Sequence, residues 1–212
     1  GYYTPETRVL LLLPLHHVLP LAGCLAAPLY AGSTIVFATS LAGPDLVALL
    51  RRHRITLIVG VPRFYDLLNR ALRERIDANP VARGLFALAR RVRSQRFSKL
   101  LFGSVHRKFG GSLEYLVSGG AALSPATGET FEVLGFKVCE GYGMTECAPM
   151  ITFPRAEAIK LGSCGQALTG CEVRIDESGE ILDRGPNVML GYYGHPEETR
   201  AVLRDGWLHT GD

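Results

Sequence analysis

The sequence predicts an α/β protein: a mostly parallel sheet flanked by helices over residues 1–154, then a β-rich unit over residues 155–212. Three observations carry this. Short, wholly apolar runs such as RVLLLLPL (Arg8 to Leu15) and ITLIVGVP (Ile55 to Pro62) have the form of strands buried on both faces. Segments with apolar residues at helical spacing alternate with them, which is the grammar of a parallel sheet with crossover helices. Beyond Pro154 the runs shorten, alternate and are punctuated by turn residues.

RVLLLLPL is interrupted by Pro14, which has no amide to donate to a neighbouring strand. VLPLAGCLAAPLYAG reads as a buried helix rich in small residues, and STIVFA (Ser33 to Ala38) as a β-branched strand. Pro44-Asp45 is a helix start, DLVALLRRHR carries the helix, and ITLIVGVP returns to the sheet. RFYDLLNRALRERI and ARGLFALARRVRSQRFSKLLFGSVHRKF follow as amphipathic helices. The second keeps Leu85, Phe86, Ala89, Val92, Phe97, Leu100 and Leu101 largely on one side and arginines on the other. SLEYLVSGG (Ser112 to Gly120) is a strand running into a glycine turn. In SPATGETFEVLG, Ser124 is the expected N-cap and Pro125 the first helical residue, and FKVCEGYG is the next strand. CEVRIDESGEILDRG then reads as strand, turn and strand, NVMLGYYG as a further strand, and HPEETRAVL as one short helix. DGWLHTGD opens on a hairpin Asp-Gly.

Composition excludes some functions and leaves others open. Apolar residues at 47% and charged residues at 20% are those of a globular chain, and a net charge of +3 is too small to argue for a nucleic-acid partner. The charge is uneven, with eleven Lys/Arg against two acids between Arg70 and Lys108. Such a basic helix face is usually a solvated surface; contact with an anionic ligand or, peripherally, with the inner face of a membrane is the functional alternative. Cys24, Cys139, Cys147, Cys164 and Cys171 form no C-x-x-C pair and lack His partners at zinc spacing, so they read as reduced thiols of a cytoplasmic protein. Val9 to Pro44 carries no charged residue and is long enough to span a membrane. Pro14, Pro20, Pro28, the His16-His17 pair and Gly32-Ser33-Thr34 argue against a span.

Two glycine loops, Ser118-Gly-Gly-Ala-Ala-Leu123 and Glu140-Gly-Tyr-Gly-Met-Thr-Glu146, follow predicted strands one strand apart. Strand ends in an open α/β sheet leave a crevice with free backbone N–H groups, so the two loops can flank one site. Neither has the spacing of a G-x-x-x-x-G-K-[ST] phosphate loop or a G-x-G-x-x-G fingerprint. Taken alone, each feature also has a bland reading: Gly141-Tyr142-Gly143 as a tight loop with a core tyrosine, Thr145-Glu146 as a helix-capping pair, His17 as a core histidine.

The set is more specific than its parts. SGGAAL, GYGMTE, GEILDRGPNVMLGYY with a following PEET, and GWLHTGD stand in the order and rough spacing of the acyl-adenylate-forming (AMP-binding) superfamily. Over most of its length the chain resembles that superfamily, which includes acyl- and aryl-CoA ligases, firefly luciferase and peptide-synthetase adenylation domains. LPLHHVLPL looks like the family's Pro-x-x-His element, with His17 in the His position. VGVPRFYDLLNRAL, the basic insert and FGGSLEYLVSGGAAL are most similar to the long-chain fatty acid–CoA ligase branch.

The resemblance implies the superfamily's N-terminal-domain fold, with β-barrel-type strands after residue 154. It also implies a two-step reaction: a fatty carboxylate attacks the α-phosphate of ATP, pyrophosphate leaves, and the thiol of coenzyme A displaces AMP. Roles follow residue by residue. Tyr142, in the turn Gly141 to Gly143, would lie against adenine; Thr145 would donate to the α-phosphate; Glu146 would help hold Mg²⁺. The backbone of Gly120, Ala121 and Ala122 would border the adenine and the acyl carboxylate. Asp212 would accept from both ribose hydroxyls, and His17 would sit near the acyl carboxylate.

The superfamily's T-S-G-T-T-G-x-P-K-G loop, which would precede His17, and its lysine-bearing C-terminal domain, which would follow Asp212, do not occur in these residues. The expectation is an internal fragment of the large domain, with the parent the enzyme and the fragment alone inactive, because charge on the phosphates would lack its main stabilisers. Two rivals stand beside it. One is a ligase for another acid, medium-chain, aryl or amino acid; the other is a non-catalytic lipid or membrane-surface module.

Overall fold

The computed structural model describes residues 1–212. Five parallel strands form the main sheet: β1 (Arg8–Leu11), β2 (Thr34–Phe37), β3 (Leu57–Gly60), β4 (Tyr115–Ser118) and β5 (Lys137–Glu140), in spatial order β2-β1-β3-β4-β5. Successive residues face opposite layers, as the period-two pleat requires. Leu10, Ile58, Leu116 and Val138 join one core with Leu50, Tyr65, Phe86 and Phe131. Val9, Leu11, Leu57, Val59, Val117 and Cys139 pack with Cys24 on the other face. That two-sided burial is why β1 and β3 read as unbroken apolar runs.

Between β1 and β2 run α1 (Val18–Pro20), a π-helical stretch (Leu21–Ala26) and α2 (Ala27–Tyr30). The sequence suggested one buried helix; only Pro20, Cys24 and Pro28 are buried, while Leu29 and Tyr30 are 63% and 97% exposed. Pro28 has no N–H to give to the carbonyl four residues back, and the helix is wound in the wider form just before it. No helix is long and apolar enough to cross a membrane.

The later helices are α3 (Gly43–His53), α4 (Pro62–Asp77), α5 (Pro80–Val92), α6 (Gln95–Leu101), α7 (Gly103–Lys108) and α8 (Pro125–Val133). The expected long basic helix is therefore three. Arg93 takes a left-handed conformation (φ 51°) that ends α5, and Ser94 Oγ accepts from the Phe97 amide at 3.4 Å to start α6. This break resets the helical phase. Phe86 and Ala89 stay buried, but Val92 is 46% and Leu100 84% exposed, and Ser98 lies inside instead. A second correction concerns Ser124: α8 starts at Pro125 as expected, yet the Ser124 side chain makes no capping bond.

The β-rich part has two small antiparallel units. β6 (Thr152–Phe153) pairs with β7 (Gln166–Ala167), so one strand lies on each side of residue 154. β8 (Glu172–Ile175), β9 (Ile181–Arg184), β10 (Leu203–Arg204) and β11 (Trp207–His209) form a sheet in the order β10-β11-β9-β8. Asp176 Oδ1 closes the β8–β9 turn by accepting from the Ser178 and Glu180 amides at 2.7 and 3.1 Å. Asp205 and Gly206, at φ 51° and 78°, give the β10–β11 hairpin two positive-φ residues, the form that matches strand twist. The helix α9 (Pro196–Val202) stands where HPEETRAVL placed it. NVMLGYYG is not a strand but a run of turns, because its polar groups bond to the site described next.

Candidate functional site

Ser118 ends β4 and Glu140 ends β5, paired in register, so the two glycine loops leave the sheet side by side. Gly120 turns away at φ +83°, a conformation side-chain-bearing residues resist. Around Tyr142 the need for glycine is steric. A Cβ on Gly143 would overlap the Pro149 carbonyl oxygen, and one on Gly141 would come within 3.0 Å of Met150 Sδ and the Phe153 ring. With no Cβ there, residues 149–153 fold back and the Tyr142 and Thr152 amides exchange bonds with each other's carbonyls at 3.1 and 3.0 Å. Glu140 ties the loops together, its carboxylate accepting from the Leu123 amide at 3.4 Å and the Gly162 amide at 3.0 Å.

A cavity of about 470 Å³ opens between these loops and the residues following β1. Five of the site residues expected from sequence line it: His17, Gly120, Gly141, Gly143 and Thr145. The remaining wall is largely apolar, with Leu13, Val61, Met144, Met150 and Phe153. The His17 ring stacks against His16 with centroids 4.2 Å apart. Ser118 was missed. It reads as the last residue of a strand, yet it lines the cavity, is 1% exposed, and its Oγ has no partner.

Tyr142, Glu146, Asp212, Ala121 and Ala122 do not line that cavity. Ala121 and Ala122 are exposed. Tyr142 packs against the small cluster of Cys147, Ile151 and Leu208, and its hydroxyl donates to Asp212 Oδ2 at 2.7 Å. Burial first, and the Asp212 carboxylate second, push the Tyr142 pKa up to about 12. Asp212 is delivered by β9: the Ile181 amide donates to its carbonyl at 3.0 Å, and Glu180 accepts from the Gly211 amide at 2.9 Å and meets His209 Nδ1 at 2.9 Å. Those two contacts, His209 foremost, hold the Glu180 carboxyl below its ordinary value.

Glu146 sits in a 3₁₀ turn (Thr145–Cys147). Its carbonyl accepts from the Met189 amide at 2.8 Å, and its Oε1 from the Tyr192 hydroxyl at 2.7 Å. No group of three metal-ligating side chains surrounds it. Magnesium commonly takes one or two carboxylates and completes its shell with water and substrate phosphates, so the single carboxylate of Glu146 would fit it only where such phosphates complete the shell. Behind the turn, Asn187 donates to the buried Asp183 carboxylate at 2.7 Å and to the Met150 carbonyl at 3.1 Å, fixing the cavity wall to β9. A larger groove of about 870 Å³, between α5, α8 and residues 156–161, contains none of the motif residues.

A family model described as AMP-binding enzyme matches residues 1–193. The chain belongs to the AMP-binding enzyme family. It is 29% identical to the long-chain-fatty-acid–CoA ligase FadD15 of Mycobacterium bovis over 97% of this chain and 37% of that protein. To the feruloyl-CoA synthase of Amycolatopsis sp it is 32% identical, over 98% of this chain and 38% of that protein. Apo MatB from Rhodopseudomonas palustris superposes with a TM-score of 0.75 at 27% identity, over 99% of this chain and 38% of that one. This AMP-binding segment thus spans well under half the length of the relatives it matches. Within the family match lie the crevice, Tyr142, Glu146 and Tyr192; Asp212 and the β10–β11 hairpin lie just beyond it.

Proposed function

We propose that this segment is the wall that holds nucleotide and acid in an AMP-forming acyl-CoA ligase whose acid is a long-chain fatty acid. The observation that supports it best is the convergence of His17, Gly120 and Thr145 on one apolar-walled crevice, with the Tyr142–Asp212 pair beside it. In the first step the acid's carboxylate attacks the α-phosphate of ATP and pyrophosphate leaves; in the second the thiol of coenzyme A displaces AMP.

Each residue has a task suited to its chemistry. Thr145 donates its hydroxyl to the α-phosphate, where negative charge concentrates. Tyr142 has committed its hydroxyl to Asp212, which leaves the ring face for adenine and the other Asp212 oxygen for a ribose hydroxyl. Gly120 admits the backbone of the loop close to the ligand, and His17 positions the acyl carboxylate. Mg²⁺ held through Glu146 would offset phosphate charge. Leu13, Val61, Met150 and Phe153 receive the acyl chain, where each methylene buried contributes about 0.8 kcal/mol. Arg83, Arg91 and Arg96, exposed and without ion pairs, offer attraction to an anionic surface, either coenzyme A phosphates or lipid headgroups.

An aryl acid is the alternative reading, favoured by the 32% identity to the feruloyl-CoA synthase against 29% to the long-chain ligase. Acid-dependent pyrophosphate release by a full-length enzyme containing this segment separates the two. Release with palmitate supports the fatty-acid reading, and release with ferulate alone overturns it while keeping the reaction class. No release with any carboxylate overturns the class.

A further inference from the structure

We infer that Tyr192 is a positioning residue for Glu146, orienting its carboxylate so that one oxygen faces the metal–nucleotide. This deepens the proposed function and rests on Glu146 being the carboxylate that meets Mg²⁺.

Glu146 is gripped at both ends by one short segment. The Met189 amide holds its carbonyl oxygen at 2.8 Å, and the Tyr192 hydroxyl holds Oε1 at 2.7 Å. A lone glutamate on a turn would otherwise sample several rotamers, and a metal ligand that must be ordered on binding loses affinity to that ordering. With Oε1 occupied, Oε2 is left without a hydrogen bond, which suits a single-oxygen ligand to a hard cation.

Tyr192 is itself anchored. Its amide donates to Thr199 Oγ1 at 2.9 Å, and the Thr199 hydroxyl donates to the His195 carbonyl at 2.8 Å, so the tyrosine is fixed to the start of α9. Gly191, at φ +146°, makes this possible, because a Cβ there would come within 2.7 Å of the Thr199 side chain. The arrangement accounts for two features of the sequence at once: why an apolar, strand-like stretch does not join a sheet, and why it is followed by Pro-Glu-Glu-Thr. Outer partners that orient a metal ligand commonly change metal affinity about tenfold or more when removed.

The test is calorimetric titration of ATP into a full-length enzyme containing this segment, with and without Mn²⁺, using wild type, Tyr192→Phe, Glu146→Gln and the double variant. Tyr192→Phe keeps the ring, so the fold is expected to hold, and melting temperature checks it. The expected result is that Tyr192→Phe removes about tenfold of the Mn²⁺-dependent affinity, leaves metal-free ATP affinity unchanged, and adds nothing to Glu146→Gln. Equal weakening with and without Mn²⁺ would mean a merely structural tyrosine and overturn the inference. If Glu146→Gln abolishes the Mn²⁺-dependent gain while Tyr192→Phe keeps it, the inference alone fails. If the wild type shows no Mn²⁺-dependent gain, the metal role of Glu146 fails and takes the inference with it.

Discussion

The Tyr142 hydroxyl donates to Asp212 Oδ2 at 2.7 Å, joining the turn after β5 to the residues after β11 across 70 positions of sequence. The bond ties a carboxylate to the aromatic residue that stands between Gly141 and Gly143, two residues of the crevice lining. If that pair receives a nucleoside, the two substitutions should differ in kind. Asp212→Ala removes the ribose acceptor and is expected to weaken AMP binding by about tenfold or more, since hydrogen bonds to a charged group contribute about 1.5–3 kcal/mol. Tyr142→Phe keeps the ring and frees the carboxylate, so its loss should be smaller than that of Tyr142→Ala. Calorimetric AMP titrations of the three variants check this; equal affinities for Phe and Ala at position 142 would remove the ring from the argument.

Gly143 and Gly120 make opposite predictions about steric cost. A methyl at Gly143 would collide with backbone at Pro149, which cannot swing aside as a side chain can. Gly120 has nothing within 4 Å of a built Cβ, and only its φ of +83° resists substitution. Gly143→Ala is therefore expected to push residues 149–153 off the loop and to lower the melting temperature. Gly120→Ala should cost about 1–2 kcal/mol of backbone strain and leave the fold intact. Thermal melts followed by circular dichroism rank the two, and a larger loss for Gly120→Ala would contradict the packing around Tyr142.

Tyr65 tests the core. Its ring is 1% exposed, and its hydroxyl shares one proton between the carbonyls of Ile58 and Val117 at 3.1 and 2.8 Å, in the adjacent strands β3 and β4. Tyr65→Phe preserves shape and removes the hydroxyl donor, at a cost of about 0.5–1.5 kcal/mol. Urea unfolding should show a lower midpoint with an unchanged slope, and an unchanged midpoint would show that the carbonyls find other donors.

How much of this was legible depended on whether a contact is local. β1 and β3 were readable because burial on both faces leaves no polar residue to blur the run, and α3 because Pro44-Asp45 marks its first turn; Pro62, read as the end of a strand, is instead the first residue of α4. The break at Arg93 was not, because an arginine in the left-handed region announces nothing, and Ser94 was the only cue. NVMLGYYG has strand composition, yet tertiary hydrogen bonds decide its shape. In the site, His17, Gly120 and Thr145 stood in ordered motifs. Tyr192 and Glu180 stand in the motif GEILDRGPNVMLGYY, but their partners are 46 and 31 positions away, and the motif does not say which residues they hold.

Glu180 supplies the pH prediction. Hydrogen bonds from His209 and the Gly211 amide favour its ionised form, so its folded pKa lies below the ordinary value of 4.5. By linkage, a carboxyl depressed in the fold contributes its full stabilisation above the unfolded value and loses it as pH falls through the folded one. The turn that carries Asp212 should therefore be held at neutral pH and loosen only below about 4.5. Protection of the Gly211 amide against hydrogen exchange, corrected for the intrinsic rate, reads this directly. Glu180→Gln keeps an acceptor for Gly211 but cannot titrate, so its protection should stay flat through the same acid range. An acid transition of equal size in that variant would assign the pH dependence to another group and sink the role given to Glu180.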